Sequence, residues 1–168
     1  MKNVLPKRFA KYGLTLHPEK TRLLEFGRYA EERAKRRGKK PGTFDFLGFT
    51  YIGARSRRGK YTVHVRTMRK RLRRGLTAIG RWCQEHRHMP VDEQQKTLNA
   101  KLRGHYQYYG RPTNSQCLWK FYRGTCKLWH KWLNRRTRGS RLTWAKYQAL
   151  LGQYPLLLPR ICTPGLKQ

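Results

Sequence analysis

Lys60-Tyr-Thr-Val-His-Val-Arg-Thr-Met-Arg-Lys-Arg-Leu-Arg-Arg-Gly-Leu-Thr-Ala-Ile-Gly-Arg-Trp-Cys83 is where the chain changes its repeat. Up to Arg66 the apolar residues alternate, with Tyr61, Val63 and Val65 on one face of a strand. From Thr67 onward the period becomes helical: Leu72, Leu76, Ile79 and Cys83 share a face while Arg69, Lys70, Arg73, Arg74 and Arg81 fall elsewhere. Upstream, the aromatic and β-branched run 43–52 reads as the partner strand, joined through a basic turn over 53–59. Before that, a short helix over 3–11 ends at Gly13, and an extended approach punctuated by Pro18 leads to a strand over 21–26. The charged stretch 28–40, broken by Gly38 and Pro41, reads as a loop or a short helix.

Downstream the helical period persists. Pro90-Val-Asp-Glu93 opens a second helix with Leu98, Leu102 and Tyr106 as its apolar row, Asp92 serving as its N-cap, and Gly110-Arg-Pro112 closing it. Asn114 or Ser115 caps a third helix on which Leu118, Tyr122, Thr125, Trp129 and Trp132 recur. A short fourth helix covers 143–151, and the tail with Pro155, Pro159 and Pro164 reads as irregular. The fold class is therefore α+β: a small β-hairpin-containing part over 1–66, followed by an α-helical bundle over 67–168. The first part has at most four strands and little to cover them, as expected of the end of a larger sheet.

Charge limits the function. The chain has 40 Lys and Arg against 8 Asp and Glu, a formal net charge of +32, with 38% apolar residues and a mean hydropathy of −0.92. From Gln94 to Gln168 there is no carboxylate side chain, and none from Phe46 to Gln84. Surfaces of folded proteins usually intersperse both signs; this one repels itself unless something negative lies on it. Charge alone also fits a ribosomal protein, a histone-like packer or a disordered tail, but 12% aromatic residues oppose disorder. Rings among cations suit phosphate contacts plus base stacking.

Other chemistries find less support. The cysteines at 83, 117, 126 and 162 form no C-x-x-C pair, so zinc-ribbon spacing is absent. Cys83, His86 and His88 lie close in sequence but offer only one soft ligand, and nuclease chemistry through His86, His88 and His105 lacks a neighbouring carboxylate at His105. No signal-peptide h-region and no membrane-length apolar run is present. No cofactor, metal or membrane partner is expected, and the cysteine usage fits a reducing compartment.

Gly-Leu-Thr-Leu-His-Pro-Glu-Lys-Thr over 13–21, followed by Phe-Asp-Phe-Leu-Gly-Phe over 44–49, resembles the end of the palm in bacterial group II intron reverse transcriptases. Arg87-His-Met-Pro90, Leu102-Arg-Gly-His-Tyr-Gln-Tyr-Tyr-Gly110, Asn114, the Trp-rich helix and Leu158-Pro-Arg-Ile161 resemble the thumb, or maturase, domain of the same family. The resemblance covers nearly the whole chain in order. It implies a palm remnant over 1–66, a thumb/maturase domain over 67–168, and a bacterial, cytoplasmic, RNA-associated protein.

The same resemblance also implies an absence. The family's catalytic Asp-Asp motif precedes the matched region, and here the only aspartates are Asp45 and Asp92. Two-metal phosphoryl transfer needs carboxylates that jointly hold a cation pair, so the chain alone is not expected to polymerise DNA. Lys20 matches the palm lysine near the nucleotide phosphates, or is an ordinary solvated lysine. Leu47, Gly48 and Phe49 match the loop supporting the primer end, or form a packed hairpin. Arg69, Lys70, Arg73 and Arg74 match the first thumb helix, which follows the nucleic-acid backbone. His105, Tyr106, Tyr108 and Tyr109 either order a helix–helix turn or touch RNA.

The expected function is RNA binding of a maturase kind, stabilising a folded structured RNA while the RNA performs the chemistry. The expected RNA-binding residues are Arg66, Arg69, Lys70, Arg73, Arg74, Arg81, Arg103, His105, Tyr108, Tyr109, Lys120, Arg123, Lys127, Lys131, Arg135 and Arg136. The guanidinium pairs at 73–74 and 135–136 suit bidentate phosphate contacts. Two alternatives stay open: a subunit of a split reverse transcriptase completed by a separate fingers–palm chain, and a structural protein co-opted into a larger ribonucleoprotein.

Overall fold

The change of repeat near Thr67 is a strand-to-helix junction, with a strand ending at Thr67 and a helix starting at Arg69. The structure, a computed structural model, describes residues 4–17, 21, 24–38, 42–56, 58–136 and 141–162. Among them the order is α1 (Val4–Ala10), α2 (Ala30–Arg36), β1 (Thr43–Phe46), β2 (Phe49–Arg55), β3 (Tyr61–Thr67), α3 (Arg69–Glu85), α4 (Val91–Tyr109), a 3-10 turn (Pro112–Asn114), α5 (Ser115–Leu133) and α6 (Trp144–Gln153). The strands form one antiparallel sheet in the order β1-β2-β3. The class is mixed α+β.

Two compact units divide these elements: Met1–Phe44 with Ile52–Val63, and Asp45–Tyr51 with His64–Gln168. In the first, α1 buries nothing, and among the described residues Ala30 alone is buried. Ion pairs are prominent there instead. Glu25 takes Arg33 at 2.7 Å and Arg37 at 3.5 Å, and Arg55 spans Glu31 at 3.2 Å and Glu32 at 3.1 Å. Helix α2 has glutamates in its first turn and cations in its last, the arrangement its dipole favours. Of the strand expected over 21–26, residues 22 and 23 lie outside the described residues; Thr21 and residues 24–26 are irregular, and Phe26 meets Phe44 edge-on at 5.2 Å.

The single strand expected over 43–52 is two strands. Leu47 and Gly48 both take positive φ, 47° and 80°, as a two-residue hairpin turn of the primed type requires. Glycine adopts this freely; leucine does so at a cost of about 1 kcal/mol. The turn is pinned from outside the hairpin. The Tyr108 hydroxyl donates to the Leu47 carbonyl at 2.8 Å, Met68 N–H donates to the Gly48 carbonyl at 3.0 Å, and a Cβ on Gly48 would lie 3.1 Å from the Tyr109 hydroxyl. Beyond the turn, β2 continues to Arg55, so the basic connection is shorter than expected.

The exposed edge of β3 is closed by side chains. Thr113 Oγ1 accepts from Val65 N–H at 2.8 Å and donates to its carbonyl at 3.1 Å. Asn114 Oδ1 accepts from Thr67 N–H, and Nδ2 donates to Thr67 Oγ1 and the Tyr109 carbonyl, all at 2.8 Å. Asn114 occupies the residue before α5 but makes no side-chain cap there; its amide satisfies a strand edge instead. Asp92 is likewise not a cap, since Pro90 holds that position in α4; its carboxylate meets Lys96 at 3.4 Å.

The core belongs to the helical unit. Ile79, Cys83, Leu98, Leu102, Tyr106, Leu118, Phe121, Trp129, Leu133, Tyr147 and Leu156 are mutually packed and buried. On α5 the buried row is Leu118, Phe121, Thr125, Trp129 and Leu133, so Tyr122 and Trp132, expected inside, are only partly covered. Buried Gln94 joins the core to a turn, accepting from Trp129 Nε1 at 2.9 Å and donating to the Met89 carbonyl at 2.8 Å. The irregular tail is part of this structure. Asn99 Oδ1 accepts from Leu157 N–H at 2.7 Å, Tyr106 donates to the Leu157 carbonyl at 3.0 Å, and Cys162 N–H donates to the Gly110 carbonyl at 2.8 Å.

Candidate nucleic-acid interface

Helices α3 and α5 form the most extensive helix pair, and glycines set their separation. Gly124 of α5 lies beneath Leu76 so closely that a Cβ would approach its Cδ2 to 2.6 Å. Gly80 of α3 faces Leu128, where a Cβ would lie 3.3 Å from the Cδ2, and Gly75 faces Phe121. Each helix thus sets leucine or phenylalanine into a glycine notch of the other, which brings their cationic faces close together. A groove of about 600 Å³ runs along the seam, with Leu72, Leu76 and Leu128 partly exposed in it and Arg69, Arg73 and Lys127 beside them.

The expected cations are placed as follows. Arg69, Lys70, Arg73, Arg74 and Arg81 are exposed on α3; Lys120, Arg123, Lys127 and Lys131 are exposed on α5, and Arg135 just beyond its end. Of these, Arg69, Arg73 and Lys127 meet at the groove; Arg66, Arg81 and Arg103 are exposed on β3, α3 and α4 and do not line it. Arg136 is half-buried, donates to the His88 carbonyl at 3.3 Å, and shares a second cavity with Arg141 and Lys146. Lys20 lies outside the described residues. Among the described residues of this unit the one ion pair is Lys96 with Asp92, so these cations are not neutralised from within.

The aromatic candidates separate. His105 is packed face to face on Phe121, centroids 3.6 Å apart, with Tyr109 tilted against it at 4.6 Å. Burial lowers its pKa from the ordinary 6.5 to about 4, and its Nε2 is buried without a hydrogen-bond partner. That ring is neutral at about pH 7 and works as packing. Tyr109 and Phe49 are also packed, at 5.2 Å. Tyr108 is 52% exposed and stacks on Phe49 at 5.7 Å, and beside it Leu47 at the turn apex is 65% exposed.

Two features of this face were not singled out from the sequence. Trp119 is 40% exposed with the Arg123 guanidinium 5.9 Å from its ring centre. Arg71 is exposed on α3, and its side chain lies near Gly48. The sequence signal for Trp119 was its position one residue after buried Leu118, which turns it away from the core; Arg71 sat within the 69–74 basic run.

Metal chemistry has no assembled ligand set here: among the described residues no three His, Cys, Asp or Glu side chains gather. Cys83 is fully buried, with its thiol pushed up to about 12 by burial, and His86 Nδ1 engages the Trp82 carbonyl at 2.9 Å. No described helix is long and apolar enough to cross a membrane. No family model, curated protein or solved structure matches this chain.

Proposed function

We propose that this chain is an RNA-binding module of the group II intron type, the palm end and thumb, or maturase, portion of a reverse-transcriptase relative. It holds a folded RNA by its backbone and has no polymerase centre of its own. The observation that carries the reading is the pair of cationic rows on α3 and α5, held close by the glycine notches and lacking carboxylate partners among the described residues. Fixed cations over a rigid helix pair match a polyanion of defined shape better than a flexible basic tail does, because little side-chain-bearing backbone has to be ordered on binding. Partly exposed Trp119 and Tyr108 add surfaces on which unpaired bases can stack.

Purification from cells at moderate salt, followed by sequencing of the bound RNA, tests this. One structured RNA enriched far above ribosomal background is the expected result. Titration of that RNA should give a log–log salt slope of roughly −5 or steeper, at about −0.7 to −0.9 per neutralised phosphate. Bound RNA that merely mirrors cellular abundance, or a slope near about −1, would remove the proposal.

A further inference from the structure

The groove between α3 and α5 is more than a place where cations meet. Its floor is apolar, from Leu72, Leu76 and Leu128, and its cations, Arg69, Arg73 and Lys127, stand at the rim with no carboxylate in the lining. A phosphodiester backbone answers the rim and leaves the leucines wet; apolar side chains answer the floor and leave the cations unmatched. We propose that this groove seats an acidic amphipathic helix from a partner protein, leucine-type side chains down and carboxylates out. The proposal does not depend on the RNA reading.

Repeat and charge together choose this occupant. Leu72 and Leu76 are one helical turn apart, and so are Arg69 and Arg73. A docked helix with apolar residues at i, i+3, i+4 and i+7 and glutamates along its flanks meets both rows at their own pitch. The glycines at 80 and 124 also line the groove and let Leu128 and Leu76 lie close against the facing helix backbones, where they form its floor. The surroundings are strongly cationic, so an acidic helix is favoured over a neutral or basic one during approach as well as in place.

The probe is a fluorescein-labelled peptide of about 18 residues with leucines at helical spacing and glutamates elsewhere. Its control is a scrambled peptide of the same composition and charge with no apolar face. Thr77 is exposed and lines the groove, so Thr77→Trp fills the groove while keeping every cation, and Thr77→Glu places a carboxylate in it. The amphipathic peptide should bind at least about tenfold more tightly than its scramble, and both variants should reduce its affinity about tenfold or more. A structured RNA should bind Thr77→Trp within about twofold of the parent. Equal binding of the two peptides, or peptide affinity unmoved by Thr77→Glu, would overturn the proposal. So would a roughly tenfold loss of RNA binding in Thr77→Trp, which would show that nucleic acid occupies the groove itself. Circular dichroism checks that each variant is folded, and Thr77→Glu keeps the test decisive if the larger side chain perturbs the helix pair.

Discussion

In the first unit carboxylates hold the cations: Glu25 takes Arg33 and Arg37, and Arg55 spans Glu31 and Glu32. Lys35 and Arg55 keep the Glu31 carboxyl below its ordinary range. In the second unit the cations of α3 and α5 stand over a packed aromatic and aliphatic core with almost no carboxylate near them. Exposed ion pairs each contribute little, about 0–1 kcal/mol, so the first unit uses its charges for local order and gains little stability from them. Burial of apolar surface, at roughly 25 cal/mol per Å², stabilises far more. The helical unit is held by that burial, which leaves its surface charges available to a ligand. A basic residue is informative about binding only once its carboxylates have been located.

The sharpest way to break this contrast is to damage the core unit without touching a charge. A Cβ on Gly110 would meet the Tyr106 carbonyl and lie 2.8 Å from the Cys162 amide nitrogen, both backbone atoms that cannot swing aside. Gly110→Ala should therefore cost about 3 kcal/mol, seen as a lower urea midpoint by tryptophan fluorescence. An unchanged midpoint would mean that the tail does not pack over Gly110. Next in size is Asn114→Ala, which strips the partner from the Thr67 amide and from the Thr67 hydroxyl, while the Tyr109 carbonyl keeps the Arg111 N–H at 2.7 Å. Buried groups left unmatched in this way should lower stability by about 2 kcal/mol.

The third measurement compares the charges directly. Arg74→Ala combined with Lys120→Ala, two exposed cations of α3 and α5 outside the groove, should weaken RNA binding about tenfold at about 0.1 M salt and flatten the log–log salt slope by about 2. Arg55→Ala, which removes a cation already held by Glu31 and Glu32, should change affinity less than about twofold. Equal effects would erase the distinction between the units.

The smallest effect is a pH dependence. His105 has its folded pKa lowered by burial from 6.5 to about 4, so between those values the unfolded chain binds more protons. Stability should fall as pH drops from 6.5 towards 4. His105→Phe, which keeps a ring against Phe121, should lose this component while retaining the slope due to carboxylates. Parallel pH profiles for the two proteins would show that His105 is not buried.

Much of the helical unit was legible because its periodicity is strong: Leu98, Leu102 and Tyr106 on α4, and Leu118, Thr125 and Trp129 on α5, are buried as their spacing indicates. The exceptions fall where two local readings compete. Residues 43–52 look like one strand because leucine rarely occupies the first position of a primed turn; Tyr108, 61 residues away, supplies the hydrogen bond that holds it there. Asn114 carries a helix-cap signal, yet its amide serves a strand edge reached only through the fold. The groove was hidden for the same reason. Leu72 and Leu76 belong to the core row expected on α3, yet both stay partly exposed along the seam with α5.

What the sequence determined by itself is the class and the charge: the switch from alternation to helical repeat near Thr67, and the long stretches without a carboxylate side chain. Both are properties of residue order and composition and need no knowledge of what touches what. Tertiary structure alone decided which cations share a surface and which rings are committed to packing. It did so because helix separation is set by contacts such as Gly124 with Leu76 and Gly80 with Leu128, between residues far apart in the chain. Such contacts leave no periodic trace in the sequence.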